Sequence, residues 1–169
     1  MIHLYFGNGK GKTTAACGLV LRAAGSGMRV LFLSFFKNGQ SSENKLLASL
    51  PGVTVALPPL WYGRYKTMTG AQRSAIAQSY RAFLHEQLAA AGTFDLIVLD
   101  EVVSAYNHGA IDREELLALL REEGARREIV LTGRDPAPAL LELADYATEM
   151  RKEKHPFDRG VPARRGVEF

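Results

Sequence analysis

Two short motifs contain the residue types that could carry out chemistry in this 169-residue chain. The first is Gly7-Asn8-Gly9-Lys10-Gly11-Lys12-Thr13-Thr14. Its glycines let the backbone curl so that successive N–H groups point at an anion, its lysines add positive charge, and the Thr13 hydroxyl is a potential Mg²⁺ ligand. The general phosphate-loop (P-loop) pattern has a glycine where this chain has Phe6, so the motif is a variant. We therefore predict that this loop binds a nucleotide phosphate.

The second motif is Asp100-Glu101, which follows the apolar run Phe94–Leu99. A hydrophobic strand that ends in Asp beside a phosphate loop commonly places that carboxylate near Mg²⁺. We predict that role for Asp100, and for Glu101 a role as a second magnesium ligand or a general base. A structural alternative stays open for Glu101, because an acidic residue that begins a helix also stabilises the helix dipole.

These motifs must be positioned by the elements around them, and strand and helix signals alternate along the chain. Apolar runs predict the strands Ile2–Phe6, Val30–Phe36, Val53–Leu57, Phe94–Leu99, Ile129–Thr132 and Tyr146–Met150. Periodicity and capping signals predict the helices Lys12–Ala24, Ser42–Leu50, Thr69–Ala91 and Val102–Asn107, with two more after Asp112 and Asp135. Capping boxes are expected at Thr69/Gln72 and Asp112/Glu115, and Asp135-Pro136 is expected to open the last helix.

Such alternation predicts an α/β fold, with a mainly parallel sheet and helices on both faces. We expect a RecA-like, P-loop NTPase-like three-layer α/β/α architecture in a single domain, residues 1–169. Ligands of such sheets bind at the carboxyl ends of the strands, so the relevant loops are those after Phe6, Phe36, Leu99, Thr132 and Met150.

Composition excludes several classes of protein. Hydrophobic residues make up 47 % of the chain and charged residues 23 %, which is typical of globular proteins and not of disordered ones. A single cysteine excludes a disulfide framework and fits a reducing cytosol. No apolar run is long enough to span a bilayer, and the N-terminus has no signal-peptide pattern. We therefore expect a cytoplasmic protein without membrane association.

The net charge of +3 is unevenly distributed. Residues 1–92 carry ten basic and two acidic side chains, residues 93–150 carry five and thirteen, and residues 151–169 carry six and three. The basic first part suits a phosphate ligand, although an ordinary solvated surface has the same composition.

The order of motifs along the chain closely resembles that of the P-loop ATP:cob(I)alamin (corrinoid) adenosyltransferases, from Leu4 to Phe169. The motifs that carry the resemblance are the glycine-rich loop, Phe35-Phe36-Lys37, Leu99-Asp100-Glu101, Val130-Leu131-Thr132-Gly133-Arg134, Thr148-Glu149-Met150-Arg151, Lys154-His155-Pro156-Phe157-Asp158-Arg159-Gly160 and Arg165-Gly166-Val167-Glu168-Phe169. The resemblance implies that the Co(I) of a reduced corrinoid attacks the 5′ carbon of ATP and that triphosphate leaves. The cobalt is itself a strong nucleophile, so the protein supplies orientation and charge.

The same resemblance implies roles for particular residues. It implies phosphate contacts for the loop residues Asn8, Gly9, Lys10, Gly11, Lys12, Thr13 and Thr14. Lys12, Thr13 and Glu101 would act in catalysis, and Mg²⁺ or Mn²⁺ would lie near Thr13, Asp100 and Glu101. Arg22 would reach the nucleotide, with a solvated helix charge as its alternative. Arg134 would contact ribose, adenine or a neighbouring subunit, with a structural ion pair as its alternative.

Corrinoid contacts transfer less directly. The segment 58–69 stands where family members have a Phe-x-Trp-Glu-like loop, and Trp61 would correspond to a tryptophan that wedges against the lower corrinoid face. Its alternative is packing on the domain's own core. Family members often carry a segment before the first strand, which here begins almost at Met1. The corrinoid side is therefore expected to be more open, or to be covered by another element or subunit.

The resemblance also implies partners, namely ATP, a reduced corrinoid, an electron donor such as flavodoxin or a flavin reductase, and a second copy in a homodimer. Three alternatives remain open from the sequence. They are a P-loop small-molecule kinase, a RecA-like nucleic-acid-stimulated ATPase, and a nucleotide-binding regulatory module without chemistry. No nucleic-acid-binding motif supports the second, and we expect no nucleic-acid partner.

Overall fold

A computed structural model describes residues 1–39 and 41–168, so Phe169, the end of the last motif, lies outside the described residues. Six strands form one parallel sheet in the order β3-β2-β4-β5-β1-β6. The strands are β1 (Ile2–Phe6), β2 (Val30–Ser34), β3 (Val53–Ala56), β4 (Leu96–Asp100), β5 (Glu128–Gly133) and β6 (Tyr146–Glu149). The predicted parallel sheet is confirmed, and its carboxyl ends share one edge.

Helices cover both faces of the sheet. They are α1 (Lys12–Gly25), α2 (Ser42–Ala48), α3 (Gly70–Ala89), α4 (Val102–Asn107), α5 (Arg113–Gly124) and α6 (Pro138–Leu143). Short 3₁₀ turns occupy Tyr65–Thr67, Ala91–Thr93 and Pro156–Arg159. None of the helices in the described part of the chain combines the length and apolarity that a membrane crossing requires.

Side-chain alternation along the strands divides the buried residues into two cores. In β2, Leu31 and Leu33 belong to the core beneath α3, α4, α5 and α6, whereas Val30 and Phe32 belong to the core beneath α1 and α2. Strands covered on both faces are apolar throughout, which is why continuous hydrophobic runs identified them in the sequence.

The capping box of α3 is confirmed: Thr69 Oγ1 accepts the Gln72 N–H, and the Gln72 side chain accepts the Thr69 N–H. In the second box only one half forms. Asp112 accepts the N–H of Glu115, but the Glu115 carboxylate interacts instead with Arg81 of α3.

Several predicted bounds differ from the structure by one or two residues, and two of the predictions are wrong for an identifiable physical reason. Strand β2 ends at Ser34 rather than Phe36, because Phe36 adopts a left-handed conformation with φ 53° and turns the chain. Asp135-Pro136 does not open α6. Asp135 has φ 51°, its carbonyl accepts a hydrogen bond from the Asn107 side chain, and the helix begins at Pro138.

Candidate functional site

A cleft of about 310 Å³ lies at the carboxyl edge of the sheet. One wall is formed by residues 8–14 of the glycine-rich loop, together with Lys37, Glu101 and Arg134. The facing wall belongs to the C-terminal segment, residues 150–168, and is mostly apolar where it lines the cleft. The cleft therefore has a charged wall that suits an anion and an apolar wall opposite it.

Close packing against the C-terminal segment shapes the glycine-rich loop. Gly7 and Gly11 have φ values of 109° and 114°, which glycine adopts at little cost. A Cβ on Gly9 would lie 2.5 Å from the carbonyl oxygen of Met150, and the Gly9 N–H donates to that oxygen at 2.6 Å. The Asn8 side chain accepts the N–H of Lys152 at 2.8 Å. The loop is thus held from behind by the chain that follows β6.

Lys12 begins α1 and is only 8 % exposed. Its Nζ donates to the carbonyl oxygen of Gly9 at 2.7 Å, so the side chain folds back across the loop. Burial lowers the pKa of Lys12, and the nearby positive charge of Arg134 lowers it further. A bound anion would relieve both effects, since it compensates the buried ammonium charge.

Asp100 is fully buried at the end of β4 and does not line the cleft itself, but it contacts Thr13 and Lys37, which do. Its Oδ1 accepts hydrogen bonds from the hydroxyls of Thr13 at 2.8 Å and Thr132 at 2.7 Å. Its Oδ2 accepts the Ser34 hydroxyl at 3.1 Å and lies 3.6 Å from Lys37 Nζ. Because the Thr13 hydroxyl donates its hydrogen bond to Asp100, the lone pairs of its oxygen remain available to a cation.

Glu101 lines the cleft and has a left-handed backbone with φ 61°. Its N–H donates to Thr132 Oγ1, and its Oε2 accepts the Ser104 hydroxyl at 2.7 Å. Glu101 occupies the N-cap position of α4, but its side chain makes no capping hydrogen bond to the backbone. Helix capping therefore does not explain the position of this carboxylate in the cleft.

The oxygen ligands at this place fit a hard divalent cation that also binds substrate phosphates. No cluster of three or more His, Cys, Asp or Glu side chains suited to a metal occurs among residues 1–39 and 41–168. Mg²⁺ needs no such cluster, because it usually takes one or two carboxylates and completes its shell with phosphate and water oxygens. Thr13 and Glu101 line the cleft and offer ligands of that kind, and the buried Asp100 orients the Thr13 hydroxyl beside them.

The structure does not bring all predicted site residues together. Lys10, Thr13, Thr14 and Arg134 line the cleft with the other loop residues. Arg22 is exposed in the last turn of α1 and is not among the residues that line the cleft. Burial raises the pKa of Tyr5, and the positive charge of Arg22 offsets part of that rise.

Trp61 is likewise outside the cleft. It is 46 % exposed in the loop after β3, beside Tyr62, which is 40 % exposed. Leu60 and Tyr65 of the same loop pack against the core, but Trp61 is not among the residues that do so. Its indole is therefore available to a ligand.

The end of the C-terminal segment interacts with the glycine-rich loop. Glu168 lines the cleft, and hydrogen bonds donated by Arg164 lower its pKa to about 2, with a smaller contribution from the charge of Lys10. A second cleft of about 530 Å³ adjoins the first along Lys10, Thr13 and Thr14 and extends to α2.

Sequence reasoning left Lys37 out of the candidate site, although it lines both clefts. It also left out Ser34 and Thr132. All three positions follow or end strands at the carboxyl edge, which is the signal that could have identified them.

Comparison with known proteins assigns the chain to a family. A family model described as ATP:corrinoid adenosyltransferase BtuR/CobO/CobP matches residues 1–169. A Pseudomonas aeruginosa protein named corrinoid adenosyltransferase is 35 % identical over 167 residues, which are 98 % of this chain and 82 % of that protein. The corrinoid adenosyltransferase CobA of Salmonella typhimurium is 31 % identical over 172 residues, covering 100 % and 85 %. An Escherichia coli K12 corrinoid adenosyltransferase is 31 % identical over 170 residues, with the same coverage.

Proposed function

This chain belongs to the ATP:corrinoid adenosyltransferase family, and we propose that it transfers the 5′-deoxyadenosyl group of ATP to the Co(I) of a reduced corrinoid. The cobalt electron pair forms the bond to C5′ of ATP. The bond between C5′ and its oxygen breaks, and the electron pair of that bond leaves with the triphosphate. The product is adenosylcobalamin or another adenosylcorrinoid. The observation that carries the proposal is the charged wall of a cleft in a chain that matches this family over its whole length.

In the proposed reaction the protein's main task is to hold the triphosphate and stabilise its charge as it leaves. Lys12 and Lys10 would do so from the glycine-rich loop and Arg134 from the end of β5. The N–H groups of Thr13 and Thr14, in the first turn of α1, add the positive end of the helix dipole. The lowered pKa of Lys12 supports this assignment, since a bound anion would compensate its buried charge.

We assign the divalent cation, Mg²⁺ or Mn²⁺, to the group formed by Thr13, Asp100 and Glu101. When bound there, the cation would offset part of the negative charge of the triphosphate. Thr13 would bind through the lone pairs that its hydrogen bond to Asp100 leaves free, and Glu101 through its carboxylate. Asp100 would hold Thr13 in place from its buried position.

The corrinoid would approach the loop of residues 58–69. We assign its lower face to Trp61, whose exposed indole suits a flat macrocycle, and we keep Arg22 as a candidate contact to the nucleotide. Both assignments rest on the family resemblance, because neither side chain lines the cleft.

Further proposals concern the setting of the reaction. We propose that residues 1–169 act as one domain, that the protein works in the cytoplasm as a homodimer, and that flavodoxin or a flavin reductase donates the electron. A donor is needed because the reaction consumes Co(I). Light scattering tests the dimer, and reduction of Co(II) in the presence of each candidate protein tests the donor.

One reaction mixture tests the function. The protein, Mg-ATP and chemically reduced cobalamin are combined, and cobalt absorbance is followed together with the phosphate products. We expect adenosylcobalamin and triphosphate in equal amounts. ADP as the phosphate product would instead indicate a kinase or an ATPase. No adenosyl product with cobalamin or with a shorter corrinoid would refute the proposal.

A further inference from the structure

Lys37 reaches the cleft from the side opposite β6, because of the turn after β2. The N–H of Phe35 donates to the carbonyl oxygen of Asp100, which keeps the chain beside β4 for one more residue. Phe36 then adopts φ 53°, and its N–H donates to the Tyr80 hydroxyl at 2.9 Å. A left-handed conformation is costly for a bulky residue, so this turn is fixed by its hydrogen bonds. The next residue, Lys37, lines both clefts.

The ammonium group of Lys37 is loosely held. Its Nζ lies 3.6 Å from Asp100 Oδ2 and 3.7 Å from Glu43 Oε1, both beyond the usual length of a charge-assisted hydrogen bond. The side chain is 25 % exposed. Lys12, by contrast, is 8 % exposed and already donates to a carbonyl oxygen at 2.7 Å. The ammonium group of Lys37 is therefore held less tightly by other protein atoms than that of Lys12.

Asp100 does not account for the placement of Lys37. Three hydroxyl groups, those of Thr13, Thr132 and Ser34, already donate to its two carboxylate oxygens at 2.7–3.1 Å. A lysine held only as a counterion for a buried carboxylate would be expected at hydrogen-bond distance. The Lys37 ammonium instead lies between two carboxylates at the junction of the two clefts. A polyanion bound to the glycine-rich loop would extend to this position.

We propose that Lys37 binds the triphosphate directly, as a cation contributed by the turn after β2 in addition to those of the loop. The inference rests on the proposed function, since that function supplies the triphosphate. The Lys37 ammonium lies within 4 Å of Asp100 and Glu43 without a short hydrogen bond to either, and on binding it donates a hydrogen bond to a phosphate oxygen. Lys37 thus contributes to binding the leaving group and to stabilising its charge.

The test separates direct binding from a counterion role. Calorimetry measures the affinity of inorganic tripolyphosphate in EDTA, so that no metal site contributes. We expect Lys37→Met to weaken binding by about tenfold to hundredfold, the usual value of one charge-assisted hydrogen bond, and Lys37→Arg to retain most of it. Because Lys37→Met removes the positive charge beside the fully buried Asp100, the same substitution is repeated in an Asp100→Asn background, where this buried carboxylate is absent.

In that background, direct binding predicts the same loss as in the wild type, whereas a counterion role predicts none. Equal tripolyphosphate affinities of Asp100→Asn and Lys37→Met/Asp100→Asn would overturn the inference. Lys45→Met, which removes an exposed lysine from α2, controls for net charge and should change affinity little. A wild-type protein that binds tripolyphosphate through Lys37 but makes no adenosylcorrinoid would refute the proposed function and support this inference.

Discussion

Replacing Lys12 with methionine tests the proposed phosphate site at its most buried charge. Methionine has a similar length and fills the same space, so the substitution removes the ammonium group without opening a large cavity. The group has two functions in this account. It donates a hydrogen bond to the Gly9 carbonyl in the free protein, and it stabilises the triphosphate during the reaction.

Two opposing terms determine the effect on stability. Losing the hydrogen bond to Gly9 removes about 1.5–3 kcal/mol from the free energy of unfolding, since the donor is charged. Burial and Arg134 lower the pKa of Lys12, which shows that the free protein holds this charge unfavourably, and its removal offsets part of that loss. We expect a net cost below about 2 kcal/mol, or a fall in Tm of less than about 8 °C for a domain of this size.

The effect on the reaction should be much larger. Removing one preorganised group that faces developing negative charge typically lowers kcat by about 10²–10³, equivalent to about 2.7–4 kcal/mol. The assay follows adenosylcobalamin and triphosphate with Mg-ATP and chemically reduced cobalamin, and Tm is measured on the same samples. Lys45→Met is the matched control and should behave like the wild type. A folded Lys12→Met protein with near-normal kcat would refute the assignment of the loop to the leaving group.

Three further predictions concern the metal, the corrinoid and the loop. Glu101→Gln should weaken Mg²⁺-dependent ATP binding by about tenfold or more and leave binding in EDTA unchanged; unchanged Mg²⁺ dependence would contradict its role as a ligand. Trp61→Ala should slow reduction of bound Co(II), because the proposed contact with the lower corrinoid face is lost, while ATP affinity stays intact. Normal reduction and adenosyl transfer would contradict the assignment of Trp61 to the corrinoid site. Gly9→Ala should lower the free energy of unfolding by about 1–3 kcal/mol, because its Cβ would lie 2.5 Å from the Met150 carbonyl oxygen. Gly18→Ala, with no atom within 4 Å of its Cβ inside α1, should instead be neutral or stabilising by up to about 1 kcal/mol, and chemical denaturation compares the two.

The fold could be predicted from the sequence because the pattern that identifies each strand lies within the strand itself. A strand covered on both faces is apolar along its whole length, so the runs Val30–Phe36 and Phe94–Leu99 indicate β2 and β4 without any tertiary contact. Local signals failed where a tertiary hydrogen bond decides the conformation. Asp135-Pro136 has the composition of a helix start, but the Asn107 side chain holds the Asp135 carbonyl in a turn instead.

Site residues whose positions follow from the spacing within one motif could be predicted. Site residues that meet only through the register of neighbouring strands could not. Spacing within one motif placed Thr13 on the first turn of α1. The other partners of Asp100 come from two other strands: Ser34 ends β2, Lys37 lies in the turn after β2, and Thr132 lies in β5. Ser34 meets Asp100 because β2 and β4 pair in parallel with these two residues in register, and no local pattern specifies that register.

The most direct test of the account is to follow the oxygen atom that bridges C5′ and the α-phosphorus of ATP. With a heavy-oxygen label at that position, transfer to Co(I) by attack at C5′ must leave the whole label in the released triphosphate and none in the adenosylcorrinoid. Mass spectrometry of both products gives the answer in one reaction. Label recovered in triphosphate, together with an adenosyl–cobalt bond, is the predicted result. Label retained on an adenosine-containing product would mean that a P–O bond breaks instead, and would contradict the proposed function.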